Sequence, residues 1–233
     1  MSAPIPTRSA ALEAVLAGDL ALTRWHPKLD HLAISELCRQ LREPSHDKAW
    51  ATTPWGRTLP RSCVGTAPDR YRGTLALQPM PLLQQMEELF FQPIATLFSD
   101  HFGTPLKELE LEDGTRVPGW ALREMANGGG IPEHCERDWN PVNLIENGTL
   151  LPAAFEPRFQ MSFLYGVDSA TTGGELQIST SGDRISLNPG ELLLFNAGYH
   201  RHRVCPTGGP SQRVVLGGFL RLHRSHTHLH CYV

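Results

Sequence analysis

A chain of 233 residues with 40% hydrophobic and 19% charged residues has the balance of one globular unit with a sizeable core, which excludes a disordered protein. Its formal net charge of -3 gives no electrostatic hold on nucleic acid or on an anionic membrane surface. No apolar run approaches the roughly 20 residues needed to span a bilayer, and Glu13 and Asp19 interrupt the only stretch that resembles a secretory leader.

The five cysteines (Cys38, Cys63, Cys135, Cys205 and Cys231) are scattered and form no CxxC pair. This usage suits reduced thiols in a cytoplasmic protein better than a disulfide framework or a structural zinc site. Nineteen prolines and 21 glycines fit a chain that turns often.

In chain order, Arg8 to Thr23 is expected to form a short amphipathic helix, ended by Trp25-His26-Pro27. Asp30 is placed to cap a second helix running to about Arg42, with Leu32, Ile34, Leu37, Cys38 and Leu41 as its apolar face. Glu43 to Asp69 is rich in Pro, Thr, Ser and Arg and is expected to be a long loop. Pro81 to His101 has the strongest helical periodicity, through Leu82, Leu83, Met86, Leu89, Phe90, Ile94, Leu97 and Phe98, and Pro93 should kink or break it.

From Leu106 the pattern becomes one of short strands. Leu106 to Glu112 alternates, Glu112-Asp113-Gly114 supplies a hairpin turn, and Arg116 to Met125 forms the return strand. Further strands are expected around Glu133–Glu136, Arg158–Val167, Gly174–Ser179, Arg184–Leu187, Glu191–Asn196, His200–Cys205 and Gln212–Leu222, each bounded by Gly or Pro turns. The reading is a mainly β sandwich, jelly roll or small barrel over residues 104–233. Residues 1–103 then form a helical and loop region packed on its outside, one structural domain in all.

The chemistry resides in a few residues of this β region. His134-Cys135-Glu136 puts an imidazole and a carboxylate two apart, and on an extended strand such residues share a face. Two imidazoles and one carboxylate form the facial triad of iron(II) oxygenases. The second imidazole must come from a distant strand, and His200 and His202 are both candidates. Arg213 is a lone cation in the apolar run Gln212-Arg213-Val214-Val215-Leu216, and pointing inward it would need an anionic partner. Each feature alone is commonplace: a His-x-Glu triplet arises by chance, and a strand arginine can pair with a structural carboxylate. Their order and spacing together carry the reading. Cys135 should face away from the metal. His226, His228 and His230 alternate near the C-terminus and are read as a tail feature.

Gly173-Gly174-Glu175-Leu176, Asn188-Pro189-Gly190-Glu191-Leu192-Leu193-Leu194-Phe195 and His202-Arg203-Val204-Cys205-Pro206 through Arg213 resemble the C-terminal core of the Fe(II)/2-oxoglutarate-dependent dioxygenase superfamily, over roughly residues 116 to 222. The resemblance implies a double-stranded β-helix (a cupin-like jelly roll) with His134, Glu136 and His202 as iron ligands. It further implies Arg213 as the anchor for the distal carboxylate of 2-oxoglutarate, and dioxygen as oxidant. Gln160, Ser162 and Tyr165 lie on the strand that would face the cosubstrate. Glu136 stands where Asp is commoner, and halogenating relatives have Gly or Ala there, so the resemblance implies hydroxylation.

The substrate is less legible. The insertion from Arg137 to Pro157 directly follows the ligand pair and is expected to wall the substrate pocket, offering Asp138, Trp139 and Asn140; Arg123 on the preceding strand is a further candidate. Asp and Arg together suit a free amino acid, the expected small-molecule substrate. A natural-product intermediate or a peptidyl side chain is the alternative, and a cupin-like metal hydrolase or isomerase is the rival for the chemistry itself. Oligomeric state leaves no signal in the sequence.

Overall fold

The computed structural model describes residues 9–19, 22–59, 81–110, 116–139 and 155–233. The first helix, α1 (Ala10–Ala17), starts where the Ser9 hydroxyl accepts the Leu12 amide and stops at Gly18, whose φ of 91° is readily adopted only by glycine. It is therefore shorter than the periodicity predicts, and Thr23–Trp25 forms a strand, β1, instead of its tail. Helix α2 (His31–Leu41) has Asp30 as its N-cap, accepting from the Ala33 amide at 3.0 Å. It buries Ile34, Leu37, Cys38 and Leu41, whereas Leu32 faces out.

The expected loop from Glu43 contains a 3-10 turn (Pro44–Ala49) and a hairpin, β2 (Ala51–Thr53) and β3 (Gly56–Leu59); residues 60–69 lie outside the described residues. Two helical segments follow, α3 (Pro81–Met86) and α4 (Gln92–Phe102), joined by a π-helical turn over Glu87–Phe91. This turn is how the helix accommodates Pro93, which has no amide to donate to residue 89 and whose ring crowds the carbonyl there. The Gln92 amide reaches back five residues to Glu87, and the helix passes through without breaking.

The strands that follow are β4 (Leu106–Glu110), β5 (Arg116–Val117), β6 (Ala121–Met125), β7 (Ile131–His134), β8 (Phe155–Asp168), β9 (Thr172–Gly173), β10 (Leu176–Ile178), β11 (Arg184–Ile185), β12 (Leu192–Phe195), β13 (His202–Val204), β14 (Thr207–Gly208), β15 (Arg213–His223) and β16 (Leu229–Tyr232). The predicted strand 116–125 is two strands, because Pro118 and Gly119 interrupt it. Its hairpin turn lies outside the described residues, although β4 and β5 pair antiparallel as expected. The histidine-bearing tail holds a strand that the sequence reading did not place: β16 runs antiparallel to β15 and parallel to β4.

Among the described residues the main sheet has ten strands, in the order β1-β12-β8-β15-β16-β4-β5, with β6 on β15 and the β2/β3 hairpin on β6. A four-stranded sheet, β11-β10-β13-β7, lies apart from it, and β14 and β9 form a short ribbon. This is a jelly roll with flanking helices. β1 to β3 come from the first hundred residues, so that region supplies strands to the sheet as well as helices to its outer side.

Strand β8 shows how the layers are held. Phe159, Met161, Phe163, Tyr165 and Val167 pack in the cluster that includes the helices, while Leu164 packs with Leu176, Ile178, Leu193, Phe195 and Val215 in a second cluster between the sheets. Both faces are covered, so the strand is buried almost throughout. Burying a phenylalanine such as Phe163 contributes roughly 2–3 kcal/mol relative to leaving it exposed. Cys38, Cys135, Cys205 and Cys231 are buried free thiols, and Cys63 lies outside the described residues. Among the described residues no helix is long and apolar enough to cross a membrane.

One buried charge ties these layers together. The Glu124 carboxylate on β6 receives Arg57 from β3 at 2.7 Å and lies 3.5 Å from Arg42, just beyond α2. Arg42 continues to Asp168 at the end of β8, and Arg57 to Asp47. Glu124 is 5% exposed at its side chain and the two arginines 24% and 30%, so the cluster lies between the exposed and buried regimes of ion pairs. Glu124→Ala should lower stability by about 2 kcal/mol. Thermal unfolding would register this as a fall in Tm of about 6 °C, and an unchanged midpoint would show that the cluster holds nothing together.

Candidate metal centre

Strands β7 and β13 are antiparallel neighbours in the smaller sheet, and their register sets His134 directly opposite His202. The two rings lie 4.3 Å apart, centroid to centroid. Glu136 arrives differently from the expectation: the strand ends at His134, and Glu136 opens a 3-10 turn (Glu136–Trp139). Its amide donates to the Ala197 carbonyl, which holds the turn against the end of β12. The carboxylate comes back to 3.3 Å from His134 Nε2, and the ligating atoms of His134, Glu136 and His202 all lie within 4.8 Å of one another. The residues are 7%, 7% and 4% exposed, so water cannot solvate them as it would surface groups.

The two imidazoles are also oriented. His134 Nδ1 lies 2.8 Å from the Pro132 carbonyl and His202 Nδ1 lies 2.9 Å from the His200 carbonyl. A carbonyl only accepts, so each Nδ1 carries its hydrogen and each Nε2 faces the common point as a lone-pair donor. Burial pushes His202 down to about 4 despite the His200 carbonyl, so it stands neutral. Burial works against charge on His134 as well, but the hydrogen bond to Glu136 and the Pro132 carbonyl outweigh it and raise its pKa above the usual histidine value. Two neutral-capable imidazoles and a carboxylate, buried and convergent, form a donor set that fits iron(II).

The other sequence candidates divide by strand parity and register. His200 is excluded from the cluster because β13 begins only at His202; its Nδ1 lies 3.3 Å from the Thr180 hydroxyl instead. Cys135 turns away as expected, its thiol donating to the Gly198 carbonyl at 3.0 Å. Ser162 faces the interior of the jelly roll. Gln160, two residues before it, packs against Gly198, and neither of its buried amide atoms has a partner among the described residues. Tyr165 must be corrected. An odd number of residues from Ser162, it points to the opposite face, where its ring packs at a tilt on Phe90 and its hydroxyl is 3.0 Å from His31 Nδ1. It is therefore a helix-packing residue.

Arg213 opens β15 and is 6% exposed. Its Nη1 meets the Met125 sulfur at 3.5 Å, and its buried Nη2 has no hydrogen-bond partner among the described residues. Gly174 makes room for it: a Cβ there would lie 2.8 Å from Arg213 Cδ. Burial and the nearby Arg123 guanidinium push Arg213 down to about 10, still charged at neutral pH. A charged guanidinium with an orphaned nitrogen in the interior fits an anion that completes it.

A cavity of about 310 Å³ opens beside the triad. Ser162, Leu164, Leu176, Phe195 and Val204 form its inner wall, and Arg123 and Phe219 lie on its side. Arg123 is thus at the cavity, as expected, whereas Arg213 is not among the wall residues. Of Asp138 and Trp139 the backbone alone is described, and Asn140 lies outside the described residues. The sequence reading missed the hairpin of β2 and β3, whose Thr52, Thr53, Pro54, Trp55 and Thr58 line the cavity. The available signal was Pro54-Trp55-Gly56 between threonines, a turn flanked by β-branched residues. Gly56 is required there, since a Cβ would come within 2.0 Å of the Glu124 carbonyl.

Two solved structures share this architecture. A 2OG-Fe(II) oxygenase family protein from Burkholderia pseudomallei superposes with a TM-score of 0.53 at 16% identity, over 89% of this chain and 86% of its own. The viral collagen prolyl hydroxylase of Paramecium Bursaria Chlorella virus-1, solved with 2OG, gives 0.50 at 10% identity, over 86% and 94%. The chain thus shares the fold of these two 2-oxoglutarate oxygenases. The family model described as "Carrier-protein-independent halogenase WelO5" matches residues 179–233, the segment that carries His202 and Arg213. No curated protein matches the sequence.

Because the Glu136 carboxylate favours charge on His134, a proton and a metal compete for its Nε2. Affinity for Mn(II), an oxygen-stable stand-in for iron(II), should fall by up to about tenfold per pH unit below the His134 pKa and level off above it. Calorimetric titration between pH 6 and 8 checks this; a pH-independent affinity would remove the imidazoles from the ligand set.

Proposed function

We propose that this protein is a hydroxylase of a small organic substrate, with iron(II) held by His134, Glu136 and His202. The observation that carries the reading is the convergence of two Nε2 atoms and one carboxylate in a buried cavity. When bound, the iron supplies oxidation by dioxygen coupled to decarboxylation of 2-oxoglutarate, with one oxygen atom leaving in succinate and the other entering a C–H bond.

The chain's own residues position the reactants. Arg213 receives the distal carboxylate of 2-oxoglutarate, which satisfies its orphaned Nη2. Ser162 and Gln160 offer polar atoms on the same interior face. Glu136 occupies the place that a halide would need, so although the matching family model is that of a halogenase, the carboxylate supports hydroxylation. A metal hydrolase or isomerase would have no use for an interior guanidinium of this kind, which favours the oxygenase reading.

The cavity wall narrows the substrate. Trp55, Leu164 and Phe219 take an apolar body and exclude water, while Arg123 receives a carboxylate. A free amino acid with an apolar side chain satisfies both, and a carboxylated natural-product intermediate is the second reading that the same wall favours.

Anaerobic calorimetry with 2-oxoglutarate separates the two arginines. Arg213→Ala should weaken its binding by about 30-fold or more. Arg123→Ala should leave that affinity within about threefold while raising the KM of any carboxylate substrate found by succinate release. Equal affinity in wild type and Arg213→Ala would refute the anchor. Glu136→Gly should abolish hydroxylation and, with chloride present, open a halide position; retained hydroxylation would remove Glu136 from the ligand set.

A further inference from the structure

Three imidazoles gather at the hairpin between β15 and β16, on residues that the proposed reaction does not use. His223 ends β15, while His228 and His230 flank Leu229, which is fully buried. With Leu229 in the core, His228 and His230 share the outward face of the strand. Their Nε2 atoms lie 3.0 Å apart, and His223 stacks on His228 at 4.5 Å with 17° between the planes. His226, grouped with them by its spacing in the sequence, leaves the cluster: its φ is 59° and its Nε2 turns to Glu156 at 3.3 Å.

A relay of hydroxyls sets the tautomer of His228. His223 Nδ1 accepts the Ser225 amide at 3.2 Å, so it carries no hydrogen and must accept from the Ser225 hydroxyl at 2.6 Å as well. The Ser225 oxygen then accepts from the Thr227 hydroxyl at 2.8 Å, which leaves Thr227 to accept from His228 Nδ1 at 2.9 Å. His228 therefore carries its hydrogen on Nδ1, and its Nε2 lone pair faces His230.

We propose that His228 and His230 form a second transition-metal site, a two-imidazole clip for a zinc-like cation, in which His223, Ser225 and Thr227 act as positioning residues. The 3.0 Å separation matches two metal–nitrogen bonds of about 2.1 Å at roughly a right angle. Hydrogen bonding of the distal ring nitrogen to an outer-shell oxygen is the usual way such ligands are aimed. Water completes the coordination. The clip fastens β16 to the hairpin, and Val233, directly after β16, lines the cavity beside the triad.

Zinc binding to the untagged full chain, measured by calorimetry and metal analysis, tests the site independently of any activity. Wild type should bind two equivalents, and His228→Ala/His230→Ala one. His134→Ala/His202→Ala should also bind one, and in that background zinc should raise Tm by about 3 °C or more. Ser225→Ala/Thr227→Ala should weaken the hairpin equivalent several-fold and leave the other unchanged. Should His134→Ala/His202→Ala fail to fold, wild type against His228→Ala/His230→Ala decides alone. Unchanged stoichiometry in that pair overturns the site, and unchanged affinity in Ser225→Ala/Thr227→Ala overturns the relay.

Discussion

The antiparallel register of β7 on β13 is the constraint on which the site depends. Pairing His134 with His202 brings together two side chains 68 positions apart and points both imidazoles to one side. A slip of one residue would send His202 to the other face and leave Glu136 and His134 without a third partner. The irregularity between His202 and Val204 and the turn that opens at Glu136 adjust this pairing locally, so that three ligating atoms meet over one point and not along a line.

What keeps that register is the burial of both faces of the main sheet. Helices α2, α3 and α4 and the π-turn between the last two cover one face through Ile34, Met86, Phe98 and Phe90, and the smaller sheet covers the other through Leu176 and Ile178. The π-turn before Pro93 lets the long helical segment stay against the sheet past a residue that would otherwise end it. The Glu124 cluster then fixes the β2/β3 hairpin at the rim, where it becomes a wall of the cavity.

Charge is distributed unevenly inside this frame. The interior holds Arg213 with one nitrogen unmatched among the described residues, Arg123 at the cavity, and one carboxylate at the triad. A buried guanidinium such as Arg213 is costly unless an anion meets it, which is the electrostatic basis of the anchor proposed for it. The matching halogenase family model spans only the last quarter of the chain and does not reach Glu136.

The sequence by itself determined the residue types and their order: a caps-and-periodicity account of α2 and of the helix from Pro81, the succession of short strands, and the set His134, Glu136, Arg213 with one of two histidines. These follow from local rules, since a cap, a turn and a two-residue alternation are written in neighbouring residues. The family resemblance had already singled out His202; only the tertiary structure decided that Tyr165 faces the helices while Ser162 faces the cavity, that Thr52 to Trp55 form a wall in place of an idle loop, and that His223, not His226, lies beside His228 and His230. Each of these depends on which strand lies beside which and in what register. That is set by the packing of distant apolar faces, which no local window of sequence contains.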